Sequence, residues 1–354
     1  MRKRKRTPRL PPPLGDARTR AEDWLTGERH GLRALAALRI ALGVSVVGLL
    51  ASNFGNRQTW IGEGSVWAEP LRGVGRFPEV VLLDGVSGDL LTLVYVVVTL
   101  AALAFTVGRW TKAANVVTLI GFIAITGQNP VLSEPVDGLV RIVLLWMLLV
   151  RSSAVWSWDS ARDGRSDDAV PPWLGIGLHN VGLVGLAAQV ALVYLAGGLD
   201  KVAEPAWQRG TALYSTFQLP EYRVFPWLAD LISGSTLVLG LITWVVLFVQ
   251  LFFVPLLLHR ITRGIVVGLS IALNLFFAIV LAQVLTSLVL IGVTALFVSD
   301  QWLGRLGDRV AGLWYRFGDW VVERWYIVAD RADAVWFRVG TPVVDWFKIV
   351  VFRR

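Results

Sequence analysis

The sequence predicts an all-α fold, a polytopic transmembrane helical bundle of about eight spans with a C-terminal cytoplasmic amphipathic helix. Of its 354 residues, 55% are hydrophobic and only 17% are charged, whereas a soluble domain carries about 25% charged residues. Several apolar runs exceed the roughly 18 residues that indicate a membrane-spanning helix. These two observations indicate one multi-pass membrane domain with polar segments at its ends.

Three regions of different composition define the predicted organisation. Residues 1–33 form a basic arm that begins with RKRKR and is rich in proline. We expect this arm to lie in the cytoplasm and to contact anionic lipids, since each basic residue near such a surface contributes roughly 1 kcal/mol. Residues 34–299 hold the apolar runs and form the transmembrane domain. Residues 300–354 form a Trp-rich amphipathic tail.

Eight apolar segments account for the predicted bundle. They lie at about 34–51, 90–107, 113–127, 139–150 and 175–199, within 228–258, and at 264–282 and 284–298. Most of the 34 Lys and Arg residues fall on one side of this arrangement, and the positive-inside rule places that side in the cytoplasm. The sequence therefore predicts a plasma-membrane protein with both termini cytoplasmic and with Asp137 and Lys201 on the outer side.

The aromatic residues of the tail recur with a helical period. Trp314, Trp325 and Trp336 are spaced eleven residues apart, and eleven residues make three turns of a nearly straight α-helix. The tryptophans would therefore form one stripe along the helix. We expect such a helix to lie in the membrane interface with its aromatic rings at headgroup depth, or to pack on a partner.

Several classes of chemistry are excluded by residue usage. The chain contains no cysteine, which rules out thiol catalysis, disulfides and zinc-thiolate sites. Its three histidines, His30, His179 and His259, are scattered, so no metal centre is expected. None of the HExxH, P-loop, GxGxxG or GxSxG motifs occurs. The net charge is +8, and the positions of the basic residues predict contact with lipid and no nucleic-acid binding.

The stretch Tyr194–Gly210 brings charges to the end of an apolar run. It reads YLAGGLDKVAEPAWQRG, and the predicted span ends near Leu199, just before Asp200 and Lys201. Charge near lipid marks a functional site by default, because an unpaired charge there is costly. The alternative is that this charge pair only ends the helix in the headgroup layer.

Other charged residues lie within or beside the spans. Arg39 is in the first span and Arg141 in the fourth, so each must face the bundle or reach the interface. Glu134 and Asp137 precede the fourth span in the segment QNPVLSEPVDG. Because Asp137 and Arg141 are four residues apart, they would share one helix face and could pair.

Three stretches of the chain resemble the HTTM domain family, the membrane module shared with vitamin K-dependent gamma-carboxylases. They are ALRIALG in the first span, QNPVLSEPVDG followed by WSWDSARDG, and YLAGGLDKVAEPAWQRGTAL. The segment LFVSDQW at the end of the last span is also similar. The resemblance covers about residues 30–302, and on it the chain is identified as a stand-alone bacterial member of the family.

The resemblance implies a role for Lys201, which matches the carboxylase lysine that deprotonates vitamin K hydroquinone. It implies a quinol of the menaquinone or vitamin K type as cofactor. An amine beside lipid loses hydration, which favours the neutral form that can accept a proton. The expected charge partners are Asp200, Asp137 and Glu134, and the expected cofactor-binding residues are Trp207, Tyr194, Asn274, Arg39 and Arg141.

The chain also departs from the carboxylases. Asn274 falls where they have a histidine that supports carboxylation, and Gln250 replaces an acidic residue common in the family. Only the amphipathic tail follows the last span, in place of the large domain that holds their glutamyl substrate. These departures disfavour peptide carboxylation as such.

Three functions stay open. The first is a quinol-dependent membrane enzyme with Lys201 as base. The second is a non-enzymatic membrane factor that binds or matures an exported peptide or partner protein, with Lys201 in a structural ion pair to Asp200, Asp137 or Glu204. The third is a transporter, which is disfavoured because no internal repeat relates the two halves of the chain. A lysine facing an apolar pocket without a close carboxylate would favour the enzyme.

Overall fold

A computed structural model describes residues 14–62, 83, 87–129, 134–162 and 171–335. Within these residues the regular structure is helical and no strand occurs, which confirms the all-α prediction for this part of the chain. The RKRKR arm, part of the segment QNPVLSEPVDG, and Trp336 lie outside the described residues. The chain forms two compact units that divide between Asp300 and Gln301.

Fifteen α-helices lie within the described residues. In chain order they are α1 (Leu14–Thr26), α2 (Leu32–Asn53), α3 (Arg57–Ile61), α4 (Gly88–Val107), α5 (Thr111–Gly127), α6 (Pro135–Met147), α7 (Trp158–Arg162), α8 (Pro172–Ala203), α9 (Pro205–Gln208), α10 (Ala212–Gln218), α11 (Pro226–Ser233), α12 (Thr236–Leu257), α13 (Arg260–Val280), α14 (Val284–Thr294) and α15 (Asp300–Val335). Two 3₁₀ segments, Pro220–Tyr222 and Ala295–Phe297, complete the set.

Five of these helices, α2, α4, α8, α12 and α13, are long and apolar enough to cross a membrane. They correspond to five of the eight predicted spans. The other three predicted spans coincide with α5, α6 and α14, which have 17, 13 and 11 residues, fewer than the roughly 20 that cross a bilayer. By length, the described residues therefore support five spans, and the total of eight stays a prediction.

The end of α8 differs from the sequence expectation. The span was expected to end near Leu199, yet the helix continues through Asp200 and Lys201 to Ala203. Within the predicted span, a Cβ at Gly198 would lie 2.7 Å from the Cα of Leu251 in α12. The two helices touch backbone to backbone at this turn. The helix ends just before Pro205, because a proline disfavours helical geometry in the residue that precedes it.

The segment after α8 is an ordered part of the bundle. Between Pro205 and Trp227 the chain forms α9, α10, a 3₁₀ turn and the start of α11. Leu213 and Phe217 of α10 are buried in an apolar cluster with Ala229 of α11 and other side chains. This cluster anchors the segment beside α12.

Hydrogen bonds attach the N-terminal helix to the bundle. The side-chain amide of Asn180, on α8, donates to the backbone oxygens of Trp24, Leu25 and Glu28 at 2.8–3.1 Å. His179 beside it accepts a hydrogen bond from the backbone N–H of Arg151 at 2.9 Å. The described end of the predicted arm is therefore tied to the start of α8, and His179 has a structural role.

The tail begins as a single long helix. α15 runs over 36 residues, and its side chains Trp302, Phe317 and Trp320 are exposed. The rings of Phe317 and Trp320 stack with centroids 5.9 Å apart. Helical structure therefore extends through the tail as far as Val335, while the tryptophan stripe and the cytoplasmic place of the tail stay predictions.

Candidate functional site

A cavity of about 280 Å³ lies among α8, α12, α13 and the segments that follow α8 and α13. Its walls are largely apolar and include Val249, Leu273 and Phe277. Six polar side chains also line it, namely Lys201, Thr216, Gln250, Ser270, Asn274 and Gln283. An apolar cleft with a few convergent polar groups is the usual form of a small-molecule site.

The cavity brings together four of the residues predicted as site residues. They are Tyr194, Lys201, Trp207 and Asn274. The first two lie on α8, Trp207 lies on α9 and Asn274 on α13. The glycine pair before Lys201 allows this assembly, because Gly198 lets α8 approach α12 closely.

Lys201 is half-buried, and its amine is held by weak contacts. The amine donates a hydrogen bond to the backbone oxygen of Gly197 at 3.4 Å and lies 5.1 Å from the centroid of the Trp207 ring. Asp200 and Glu204 are exposed. Among the described residues, no carboxylate oxygen lies within 4.0 Å of this amine. Lys201 therefore faces the cavity without a tight ion pair.

Tyr194 fixes one wall of the cavity. Its hydroxyl lies 2.6 Å from the hydroxyl of Ser270 and 3.1 Å from that of Thr294, which joins α8 to α13 and α14. Its ring stacks on Phe253 with centroids 4.0 Å apart. Asn274 donates to the backbone oxygen of Ser270 at 2.8 Å. These bonds hold the polar residues of the wall in place.

Gln250 contributes a buried acceptor beside Lys201. Its Oε1 atom is inaccessible to solvent and has no hydrogen-bond partner within the described part of the chain. A Cβ placed on Gly197 would lie 3.4 Å from this oxygen and 3.9 Å from the Lys201 amine. The amide oxygen and the amine therefore border one small space, which exists because residue 197 has no side chain.

Four other predicted site residues lie away from the cavity, and the expectation that they act there is corrected. Glu134 and Asp137 form the capping box of α6, with the Glu134 N–H donating to Asp137 Oδ2 at 2.9 Å. Arg141 donates to the Thr126 hydroxyl at 2.6 Å. The two carboxylates thus accept from backbone N–H groups at the start of α6, and Arg141 bonds to α5.

Arg39 is the fourth of these residues. Its side chain is fully buried and donates to the backbone oxygen of Ser152 at 2.7 Å and to that of Trp156. Both oxygens belong to the connection between α6 and α7. Arg39 therefore faces the bundle, as expected for a charge within a span, but it holds a loop and does not line the cavity.

Local sequence patterns did not predict a role for the hydroxyl residues Ser270, Thr294 and Thr216. A signal for Ser270 was present, since it precedes Asn274 by four residues and side chains four apart share a helix face. Thr294 and Thr216 carry no such local signal. Their helices meet the cavity only through tertiary packing.

The HTTM domain family matches residues 30–302 of the chain, which confirms the family resemblance. No curated protein and no solved structure matches the chain. Because the match extends over most of the sequence, the protein belongs to the HTTM domain family, and it is a membrane protein of the vitamin K-dependent carboxylase-like family.

Proposed function

We propose that the protein is a quinol-dependent membrane enzyme, in which the cavity holds the ring of a menaquinol- or vitamin K-type quinol and Lys201 acts as base. One observation carries the proposal. The Lys201 amine borders an apolar cavity, beside the Trp207 ring at 5.1 Å. Within the described residues no carboxylate oxygen lies within 4.0 Å of it.

The dimensions of the cavity agree with a ring and not with a whole lipid. Ligand pockets usually measure about 300–1,000 Å³, and this cavity, at about 280 Å³, is slightly smaller. A bicyclic aromatic ring suits that space, whereas an isoprenoid tail must extend beyond it. The apolar side chains Val249 and Phe277 supply the walls that an aromatic ring requires.

The chemistry proposed for Lys201 is a single proton transfer. The lone pair of the neutral amine takes the proton of a ring hydroxyl, so that an N–H bond forms, the O–H bond breaks and the negative charge stays on the ring oxygen. The Trp207 ring then contributes, because an ammonium ion near an indole face is stabilised by about 0.5–2 kcal/mol. The quinol supplies the acidic hydroxyl and the redox chemistry.

The function as a non-enzymatic membrane factor predicts a different environment for Lys201. In that function the Lys201 amine would form a tight ion pair with Asp200, Asp137 or Glu204. Asp137 caps α6, and in the described part of the chain the amine has no carboxylate oxygen within 4.0 Å. This favours the enzyme, and native mass spectrometry of the purified protein separates the two by the bound species, a quinone or a peptide.

The base role is tested with Lys201→Met, which keeps an unbranched side chain and removes the amine. We expect menaquinol oxidation by the purified protein in air-saturated buffer to fall at least about 100-fold, since general-base catalysis contributes roughly 10²–10⁴. Lys112→Met is the matched control, because Lys112 is exposed at the start of α5 and should keep full activity. Full activity in Lys201→Met would rule out the base role.

A further inference from the structure

We infer that Gln250 is a positioning residue for Lys201: its amide oxygen directs the amine into the cavity and accepts a hydrogen bond from the ammonium ion. The inference rests on the proposed function in so far as Lys201 is the base. It extends that function, because it assigns to an uncharged amide the control of when this amine carries a proton.

The first argument is the unpaired acceptor. Buried polar atoms in native proteins are nearly always hydrogen-bonded, and an acceptor left without a donor is unfavourable. Gln250 Oε1 is such an atom within the described residues. The Gln250 oxygen is thus an unpaired acceptor at the cavity wall. The nearby Lys201 amine gains an N–H donor when it takes up a proton.

The second argument is the shared space above Gly197. A Cβ on Gly197 would lie 3.4 Å from the Gln250 oxygen and 3.9 Å from the Lys201 amine, so both groups approach the same point. The amine already donates to the Gly197 oxygen at 3.4 Å. An ammonium has three N–H donors, and the Gln250 oxygen is the acceptor within reach for a second one. The third N–H of the ammonium would then face a ligand in the cavity.

The third argument is charge. The charged side chains near the amine are Asp200 and Glu204, which lie before and after Lys201 on its own chain segment and are exposed. The residues that α12, α13 and α14 contribute to the cavity wall include no charged side chain, and Tyr194 is the other titratable residue there. An amide stabilises the ammonium by a hydrogen bond. A carboxylate at the same position would instead hold it in a tight ion pair.

The test measures the titration of the Lys201 amine directly and needs no quinol. Only neutral amines react with an amine-specific acylating reagent, so the labelling of Lys201 by acetic anhydride across pH, read by peptide mass spectrometry, reports its protonation. The exposed Lys112 is the internal reference in the same sample. The proteins compared are the wild type, Gln250→Leu and Gln250→Glu, in detergent.

We expect the two variants to shift the labelling midpoint in opposite directions. Gln250→Leu removes an acceptor from the ammonium, so Lys201 should become reactive at a pH lower by about one to two units, the size of a hydrogen bond to a charged group. Gln250→Glu adds a negative charge, so the midpoint should rise by a similar amount. The Lys112 midpoint should not move.

A midpoint for Lys201 that is unchanged in both Gln250 variants would overturn the inference. Gly197→Ala gives a second test if Gln250→Leu folds poorly, because its methyl group enters the shared space at ordinary contact distances and should also lower the midpoint. The two proposals fail separately. If Lys201 is not the base, Lys201→Met stays active. If only the role of Gln250 is wrong, Lys201→Met is inactive and the Lys201 labelling midpoint is the same in the wild type and both Gln250 variants.

Discussion

At the scale of single residues, Arg39 and Lys201 lie in different environments. Arg39 is completely buried and bonds to the carbonyl oxygens of Ser152 and Trp156. Lys201 is half-buried, and its contacts within the described residues are a 3.4 Å hydrogen bond to the Gly197 oxygen and the Trp207 ring. The two bonds of the Arg39 guanidinium hold a loop in place, whereas the Lys201 amine borders a cavity.

Arg39→Met should therefore destabilise the fold. The variant leaves the carbonyl oxygens of Ser152 and Trp156 without this donor, and each hydrogen bond to a charged group contributes about 1.5–3 kcal/mol. We expect a clearly lower midpoint of thermal unfolding in detergent. Arg260→Met is the control, since Arg260 is exposed at the start of α13 and its replacement should leave the midpoint unchanged. Equal midpoints for both variants would contradict the structural role.

At the scale of helices, the contact between α8 and α12 forms the cavity. Gly198 packs on the backbone of Leu251. A Cβ on Gly198 would lie 2.7 Å from both the Cα and the N of Leu251. Gly197, one residue earlier, faces the Gln250 side chain at 3.4 Å. One glycine is thus required by helix packing, and the other leaves space beside Lys201.

These neighbouring glycines should respond differently to alanine. Gly198→Ala places a methyl group against the α12 backbone, and overpacking of this kind costs about 1–3 kcal/mol. Gly197→Ala meets no such contact and gains up to about 1 kcal/mol in helix propensity. Thermal unfolding should therefore show a loss of stability for Gly198→Ala and none for Gly197→Ala. A destabilised Gly197→Ala protein with an unaffected Gly198→Ala protein would refute this account of the packing.

At the scale of the whole molecule, the distribution of charge predicts how the bundle lies in the membrane. α12 is one of the five helices that can span a bilayer, so the segments before and after it belong on opposite sides. The positive-inside rule assigns the turn at Arg260 to the cytoplasm and the segment around Gln208 to the outer side. Lys201 would then meet its ligand near the outer surface.

Labelling of introduced cysteines tests this orientation. The natural chain has no cysteine, so Gln208→Cys and Arg260→Cys each provide a single thiol at an exposed position. A membrane-impermeant maleimide should label the cysteine at 208 in intact cells, and the cysteine at 260 only after permeabilisation. The opposite pattern would invert the predicted topology and place Lys201 near the cytoplasm.

Local patterns predicted the helices well and the site in part. Long apolar runs marked α2, α4, α8, α12 and α13, because a run of about 20 apolar residues has few alternatives to a membrane helix. The stretch around Lys201 was also found from sequence, because charges and glycines at the end of an apolar run are unusual. The extension of α8 to Ala203 was missed, because the apolar run ends at Leu199 while the helix continues until the residue before Pro205.

By itself, the amino-acid sequence determined that this is a helical membrane protein of the HTTM domain family, because hydropathy and motif order are properties of contiguous residues. Only the tertiary structure decided which polar side chains share a cavity. It joins Lys201 to Gln250 and Asn274 from other helices, and it assigns Glu134 and Asp137 to a helix cap. The physical reason is that these neighbours lie far apart along the chain, and their meeting depends on how closely whole helices pack.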